Sequence, residues 1–375
     1  MRFMPMLGLA LLGVLAGRAP FTSCCPPARA AEVATPSIVD AIGRPLAPEI
    51  ATILRAVAAA DKRLPQLAPD EAKTQRTPRQ AAKTLDRYQK AAAAGFVSAQ
   101  YNLAEALVDR RGIAPDVDRA ITLLRQIAER GYQPAQMRLA EENLRREGKG
   151  TSRAEAYAWY TVAYHDGNGA AEHALSLLAP LLTPAEREAA ERLSRSIDAT
   201  VTAGRLHRPL PSQQKTLDAE LMAALDTDDR AKVDGLLAQG ADPDAIDQNG
   251  RSAIVNAAWR GRSRVVALLL ERGADADRRD DEGHTALAWA AINGYSDIAL
   301  SLLAAGSMTD VPDGDGLTPL MRAAWDGHPD VVRALLDNGA RTDLADAGGK
   351  TALDRALSQD DKTVAAMLRQ AAGTH

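Results

Sequence analysis

Three groupings in the chain bring chemistry-capable residues to short spacing. Asp242-Pro243-Asp244, Asp275-Ala276-Asp277 and Asp313-Gly314-Asp315 carry enough carboxylate for calcium. None continues with the glycine and the twelfth-position glutamate of a calcium loop, so they read as turns whose Asp side chains accept backbone hydrogen bonds. Gly148-Lys149-Gly150-Thr151-Ser152 has the composition of a phosphate-binding loop but follows no strand, and a helix-to-helix connection is the better reading. His165 and His173 lie eight apart with no third ligand in view, which suits surface residues rather than a metal site. No nucleophile, base and orienting group come together. The expectation is a non-enzyme with no catalytic residue, no metal ligand and no cofactor.

The elements that position any site here must be helices. Among 375 residues there are 75 alanines, while Phe, Trp and Tyr make up only 4%. Alanine is the strongest helix former, and few aromatic or β-branched runs argue against a large β core. With 46% hydrophobic and 25% charged residues the chain is globular rather than disordered. A net charge of −4 without a basic stripe excludes nucleic acid as the expected partner.

Residues 1–30 read as a signal peptide. Met1-Arg2 is a short positive start, Phe3 to Ala16 an apolar run, and Ala28-Arg29-Ala30 a cleavage site. The apolar run is too short for a stable membrane span, so the expected location is periplasmic or secreted. Cys24, following Phe21-Thr22-Ser23, is an alternative lipid-attachment site, disfavoured by Arg18, Pro20 and the missing leucine three residues before it. Cleavage would remove three arginines and both cysteines, taking the net charge from −4 to −7. The mature chain would then hold neither thiol nor disulfide.

Residues 31–79 contain a helix from about Pro48 to Leu64 and a polar linker, Pro65 to Arg79. A 36-residue period follows in Gly95, Gly131 and Gly167, in Ala99, Ala135 and Ala171, and in Leu103, Leu139 and Leu175. Apolar positions between the glycines keep helical spacing, so each unit is a helix, a loop and a second helix. Gly95-Phe96-Val97-Ser98-Ala99-Gln100-Tyr101-Asn102-Leu103, Gly131-Tyr132-Gln133-Pro134-Ala135-Gln136 and Ala156-Tyr157-Ala158-Trp159-Tyr160 resemble the Sel1-like repeat family, a relative of the tetratricopeptide repeat. The resemblance spans residues 80–197 and implies a protein-binding α/α superhelix. Leu123-Leu124 stands where that family has an aromatic pair, and Trp159 matches a core position of the motif. Thr183-Pro184-Ala185-Glu186 is a capping box that opens a closing helix.

Residues 198–216, with Pro209 and Pro211, read as a semi-extended linker to a second domain, 217–375. There the period is 33: Gly240, Gly273, Gly306 and Gly339; Gly250, Gly283, Gly316 and Gly349; Gly261, Gly294 and Gly327. Gly316-Leu317-Thr318-Pro319-Leu320-Met321-Arg322-Ala323-Ala324, with Val331-Val332-Arg333-Ala334-Leu335-Leu336 and Gly273-Ala274-Asp275, resembles the ankyrin repeat. Three regular units begin at Gly250, Gly283 and Gly316, between irregular end units marked by Asp218-Ala219-Glu220-Leu221 and Asp360. The expected fold is thus all-α, a Sel1-like superhelix followed by an ankyrin solenoid with β-turn tips.

The ankyrin resemblance implies a protein partner held by the turn tips and the concave face of the inner helices. The positions flanking each Ala-Ala pair are Asn256, Trp259 and Arg260, then Trp289, Ile292 and Asn293, then Arg322, Trp325 and Asp326. Within each set the spacing i, i+3, i+4 places the side chains on one helix face. Arg251, His284 and Leu317 fall nearer the tips. Trp and Arg are enriched at binding hot spots, so this stripe is the expected interface. The plainer reading of the rings, Trp289 most of all, is that they cover narrow Ala-rich helices. The expected function is a monomeric, non-catalytic exported adaptor in a bacterial envelope, supporting an envelope or stress-protective enzyme. The alternative is an immunity protein that occludes a toxic effector.

Overall fold

The computed structural model describes residues 47–60, 78–108, 116–146, 153–204 and 211–373. The signal peptide, the Cys24 alternative, nearly all of the 65–79 linker and the Gly148–Ser152 loop lie outside them. Among the described residues all regular structure is helical, and isolated bridges Ile246–Ser252 and Ala345–Thr351 mark two of the turns. No helix of the described residues is long and apolar enough to cross a membrane.

The N-terminal solenoid contains α1 (Pro48–Ala60), α2 (Pro78–Ala93), α3 (Val97–Val108), α4 (Val117–Glu129), α5 (Gln133–Arg145), α6 (Arg153–His165), α7 (Gly169–Leu178) and α8 (Pro184–Gly204). From α2 to α7 each helix packs on its sequence neighbour, while α8 lies on α6 and α4, and α1 on α7 and α5. Gly95, Gly131 and Gly167 turn the chain between helices at φ 95°, 88° and 91°, the left-handed region open to glycine. Asp116 caps α4 through the Arg119 amide and Asn168 caps α7 through the Ala170 and Ala171 amides. Trp159 and Tyr160 are buried with Leu124, Ile127 and Leu139, so Trp159 is a core residue. Thr183 and Glu186 make the expected capping box at the start of α8.

The C-terminal solenoid runs α9 (Pro211–Ala224), α10 (Arg230–Ala238), α11 (Ala253–Trp259), α12 (Ser263–Glu271), α13 (Ala286–Asn293), α14 (Ser296–Ala304), α15 (Pro319–Trp325), α16 (Pro329–Asp337), α17 (Ala352–Ser358) and α18 (Lys362–Ala372). Within the stretch 198–216, expected as a semi-extended linker, the described residues are helical, and 205–210 lie outside them. α8 continues to Gly204 and α9 starts at Pro211, because proline needs no amide partner in a first helical turn and there starts a helix rather than ending one. Inner helices α11, α13, α15 and α17 stack in one row and outer helices α12, α14, α16 and α18 in another. Alanines keep the inner row thin: Ala257, Ala258, Ala290, Ala291, Ala323 and Ala324 are fully buried. Thr285, Thr318 and Thr351 cap their inner helices, each accepting an amide three residues on.

The turn between inner and outer helix shows how position within the stack selects a residue. Gly261, Gly294 and Gly327 have φ near 72°, 71° and 72°, and in the same register Asp228 and Asp360 have φ 51° and 55°. A Cβ on Gly294 would lie 2.6 Å from His328 Nδ1 of the next repeat, and one on Gly261 2.9 Å from Tyr295 Cζ. Among the described residues no further repeat packs against the turn at 360, and Asp360 is exposed there. Asp360→Gly exchanges a left-handed penalty of about 1–2 kcal/mol for a glycine entropy cost of about 0.5–1 kcal/mol. It is expected to raise the denaturation midpoint slightly, whereas Gly294→Ala lowers it by more than ~2 kcal/mol in stability; chemical denaturation of both variants checks the opposite signs.

Both solenoids fall within one compact unit, and they meet through hydrogen bonds together with apolar contacts, Phe96 packing against the C-terminal core. Arg87 Nη1 donates to the carbonyls of Leu303 (3.2 Å) and Ser307 (2.7 Å), at the end of α14 where a cation suits the helix dipole. Asn102 Nδ2 donates to Asp277 Oδ2 (2.8 Å) and the Gly306 carbonyl (3.0 Å). Tyr132 donates to Asp275 Oδ1 (2.9 Å), and Ser98 Oγ accepts the Ala276 amide (3.1 Å). Gly306 allows this approach, since a Cβ there would sit 2.6 Å from Ala99 Cβ. Burial, with Asp275 adding repulsion, pushes the Asp277 carboxyl up to about 7 despite the donors from Asn102 and Met308. A carboxyl whose folded pKa is raised penalises the folded state once pH passes its unfolded value near ~3.9, and fully above about 7. The thermal midpoint is therefore expected to fall as pH rises from 5 to 8. Asp277→Asn should change less over that range whatever its absolute stability, and equal pH slopes for the two proteins would contradict the assignment.

Candidate protein-binding surface

Each turn of the C-terminal solenoid is organised by one aspartate, at 247, 280, 313 and 346. One oxygen closes the turn. Asp280 Oδ1 accepts the amides of Glu282 and His284, and Asp313 Oδ1 those of Asp315 and Leu317. Asp247 and Asp346 repeat the pattern with Asn249 and Arg251, and with Gly348 and Lys350. The other oxygen receives the side chain nine residues on, from the inner helix: Asn256 Nδ2 (3.1 Å), Trp289 Nε1 (2.9 Å), Arg322 Nε (2.7 Å) and Arg355 Nε (3.0 Å). The turn is thereby tied to the inner helix in every repeat. Asp313-Gly314-Asp315 uses its acids as backbone acceptors, and Asp242 and Asp275 do the same for the Asp244 and Asp277 amides. His165 Nδ1 lies 2.8 Å from Asp198 Oδ2 rather than pairing with His173.

The electrostatics follow from these donors. Burial alone would raise the Asp280 carboxyl, but donors from His284 and Trp289 hold it below the usual carboxylate range. Burial likewise opposes ionisation of Asp346, which the Lys350 amide and Arg355 hold low. Arg322 is disfavoured by burial yet held above the usual value by Asp313 and Asp315. All three groups stay charged at neutral pH, with their charges paired within the surface.

Above this layer the aromatic and cationic side chains stack. The Arg251 guanidinium lies 4.4 Å from the Trp259 ring centroid and 5.8 Å from that of Trp289. Arg260 covers Trp259 at 5.0 Å, and the two Trp rings meet edge to face at 6.4 Å. His284 stacks on Trp289 at 4.6 Å and sits 3.6 Å from both Asp280 Oδ1 and Asp313 Oδ2. Trp325 is covered by Arg355 at 4.1 Å. Each cation–π contact adds about 0.5–1 kcal/mol at a partly exposed site. The result is a row of three half-buried Trp rings, with the His284 ring buried against Trp289, held in place before any partner arrives, which lowers the ordering cost of binding.

The sequence-expected residues divide into three groups. Trp259, Arg260, Trp289 and His284 come together in the stack, Trp325 stands further along it, and Arg322 joins turn to helix. Asn256 is buried and bonded to Asp247 and Arg260, so it acts from beneath the surface. Asn293 is exposed and donates to the Trp289 carbonyl, Ile292 is half-buried, and Asp326 is exposed with burial raising its carboxyl. Leu317 is buried. Sequence reasoning missed Asp346 and Arg355, which lie in the end unit treated only as a cap. The 33-residue step from Asn256 through Trp289 and Arg322 leads directly to Arg355.

Two comparisons bear on the identity of this region. Family models described as ankyrin repeats match residues 221–313 and residues 302–356, with no Sel1-like match in the N-terminal half. No curated protein matches the chain. The matched span covers the inner helices α11, α13 and α15, their turns and the Arg–Trp stack. The C-terminal region, residues 221–356, is built of ankyrin repeats.

Proposed function

We propose that this chain is a non-catalytic exported adaptor that holds a protein partner on the concave, inner-helix face of its ankyrin repeats. Ankyrin repeats indicate a protein–protein interaction role. The observation that carries the reading is the unbroken stack Arg260, Trp259, Arg251, Trp289, His284. Rings and guanidinium groups fixed in this way are suited to act as anchors at the centre of an interface. The N-terminal solenoid is read as Sel1-like from its 36-residue helix pairs and left-handed glycines, and it serves as a second protein-binding surface or as a brace for the first. Export rests on residues 1–30, and it places the adaptor in a bacterial envelope, where an envelope or stress-protective enzyme is the proposed client. Immunity against a toxic effector is the competing role for the same surface.

Capture from envelope extract on the immobilised mature chain, compared with Trp259→Ala/Trp325→Ala, tests the surface. Hot-spot truncation costs about 2 kcal/mol or more, roughly 30-fold in affinity, so the double variant is expected to lose its partner while keeping its circular dichroism. Retention of every partner at unchanged affinity would sink the proposal. A single very tight partner with toxic hydrolytic activity would favour immunity. Cell fractionation tests export, and full-length protein with its leader in the cytoplasm would contradict it.

A further inference from the structure

Helix α1 departs from the order of the N-terminal solenoid. Helices α2 to α7 each pack on the next in sequence, but α1 packs on α7 and, less extensively, on α5, while its sequence neighbour α2 packs on α3. Seventeen residues, 61–77, separate α1 from α2. The helix is two-faced. Ile50, Ile53, Leu54 and Val57, at i, i+3, i+4 and i+7, are at most 3% exposed, whereas Glu49, Thr52, Arg55 and Ala58 are exposed. The four aliphatics share one core with Met137 and Leu144 of α5 and with Ala171, Ala174 and Leu178 of α7. Ala171 and Ala174 on α7 let a helix approach closely, and Leu178 of α7 with Met137 and Leu144 of α5 completes the apolar seat. The sequence-neighbour packing from α2 to α7 and the seat of α8 on α6 and α4 are made without α1. The docking of α1 sets the burial of four side chains against the ordering of thirteen residues and the closure of a long connection.

We propose that the α5/α7 face is a helix-binding groove, that α1 is its resident occupant, and that a partner docks there by replacing α1 with an amphipathic helix of its own. The partner helix carries aliphatic side chains at i, i+3, i+4 and i+7 and a polar back, the pattern α1 itself displays. Because α1 is tethered, it competes at high effective concentration, and the groove opens only to a helix that binds well enough to overcome that advantage.

The test uses the full chain and a fluorescein-labelled synthetic peptide of residues 48–60. Ile53→Asp/Leu54→Asp in the chain undocks α1. That variant is expected to bind the peptide at least ten-fold more tightly than the unsubstituted chain by fluorescence anisotropy, and a peptide carrying the same two substitutions should not bind. Hydrogen exchange of the unsubstituted chain should show α1 amides exchanging faster than those of α7. Equal affinity of the two chains, or equal protection of α1 and α7, would overturn the proposal. Loss of the whole helical signal in the variant would overturn it as well, since α1 would then be integral to the fold. Concentration-dependent dimers of the unsubstituted chain, seen by light scattering, would assign the groove to a second copy instead of a partner.

Discussion

Repeat-to-repeat spacing in the ankyrin region rests on a second row of aspartates. Asp244, Asp277 and Asp310 each accept a backbone amide thirty-one residues on, from Asp275, Met308 and Arg341, at 2.8, 2.8 and 2.9 Å. A carboxylate that accepts an amide across a repeat boundary fixes the distance between neighbouring turns, and the alanine faces of the inner helices allow that distance to be short. Everything on the surface inherits this spacing. The turn aspartates 247, 280, 313 and 346 fall in line, the donors nine residues on reach them, and Arg251 comes to rest between Trp259 of its own repeat and Trp289 of the next.

The same row couples the two solenoids. Asp277 holds the Met308 amide with one oxygen and Asn102 of the N-terminal solenoid with the other. The burial this requires raises its pKa to about 7. N-terminal hydrogen bonds fall on residues 274–277, on residues 303–307 and on Leu336, at or just after the C-terminal ends of the outer helices α12, α14 and α16, whereas the Arg–Trp stack is carried by the inner helices and the turn tips. One solenoid therefore braces the spacing of the other.

Much of this was legible in the residues. Glycine at a 33-residue step marks left-handed turns, and in one register aspartate takes the same left-handed conformation at 228 and 360, in the first and last units described. Thr318-Pro319 announced a cap and a first turn. The docking of the solenoids was not legible, because Ser98, Asn102 and Tyr132 look like ordinary polar positions of a helical repeat until another backbone is brought against them. Trp289 was ambiguous for a physical reason: its indole both covers the inner helix and donates to Asp280, so it is core-like and surface-like at once. Within the stretch 198–216 the residues up to Gly204 and from Pro211 are helical rather than extended, because proline marks helix starts as readily as breaks.

If the inner-helix face is the working surface, hydrogen exchange on the mature chain with and without its captured partner locates it most directly. Added protection is expected at the turns around 247–251, 280–284 and 313–317 and along α11, α13 and α15. Protection confined to the outer helices α12, α14 and α16, with the inner row unchanged, would contradict the assignment.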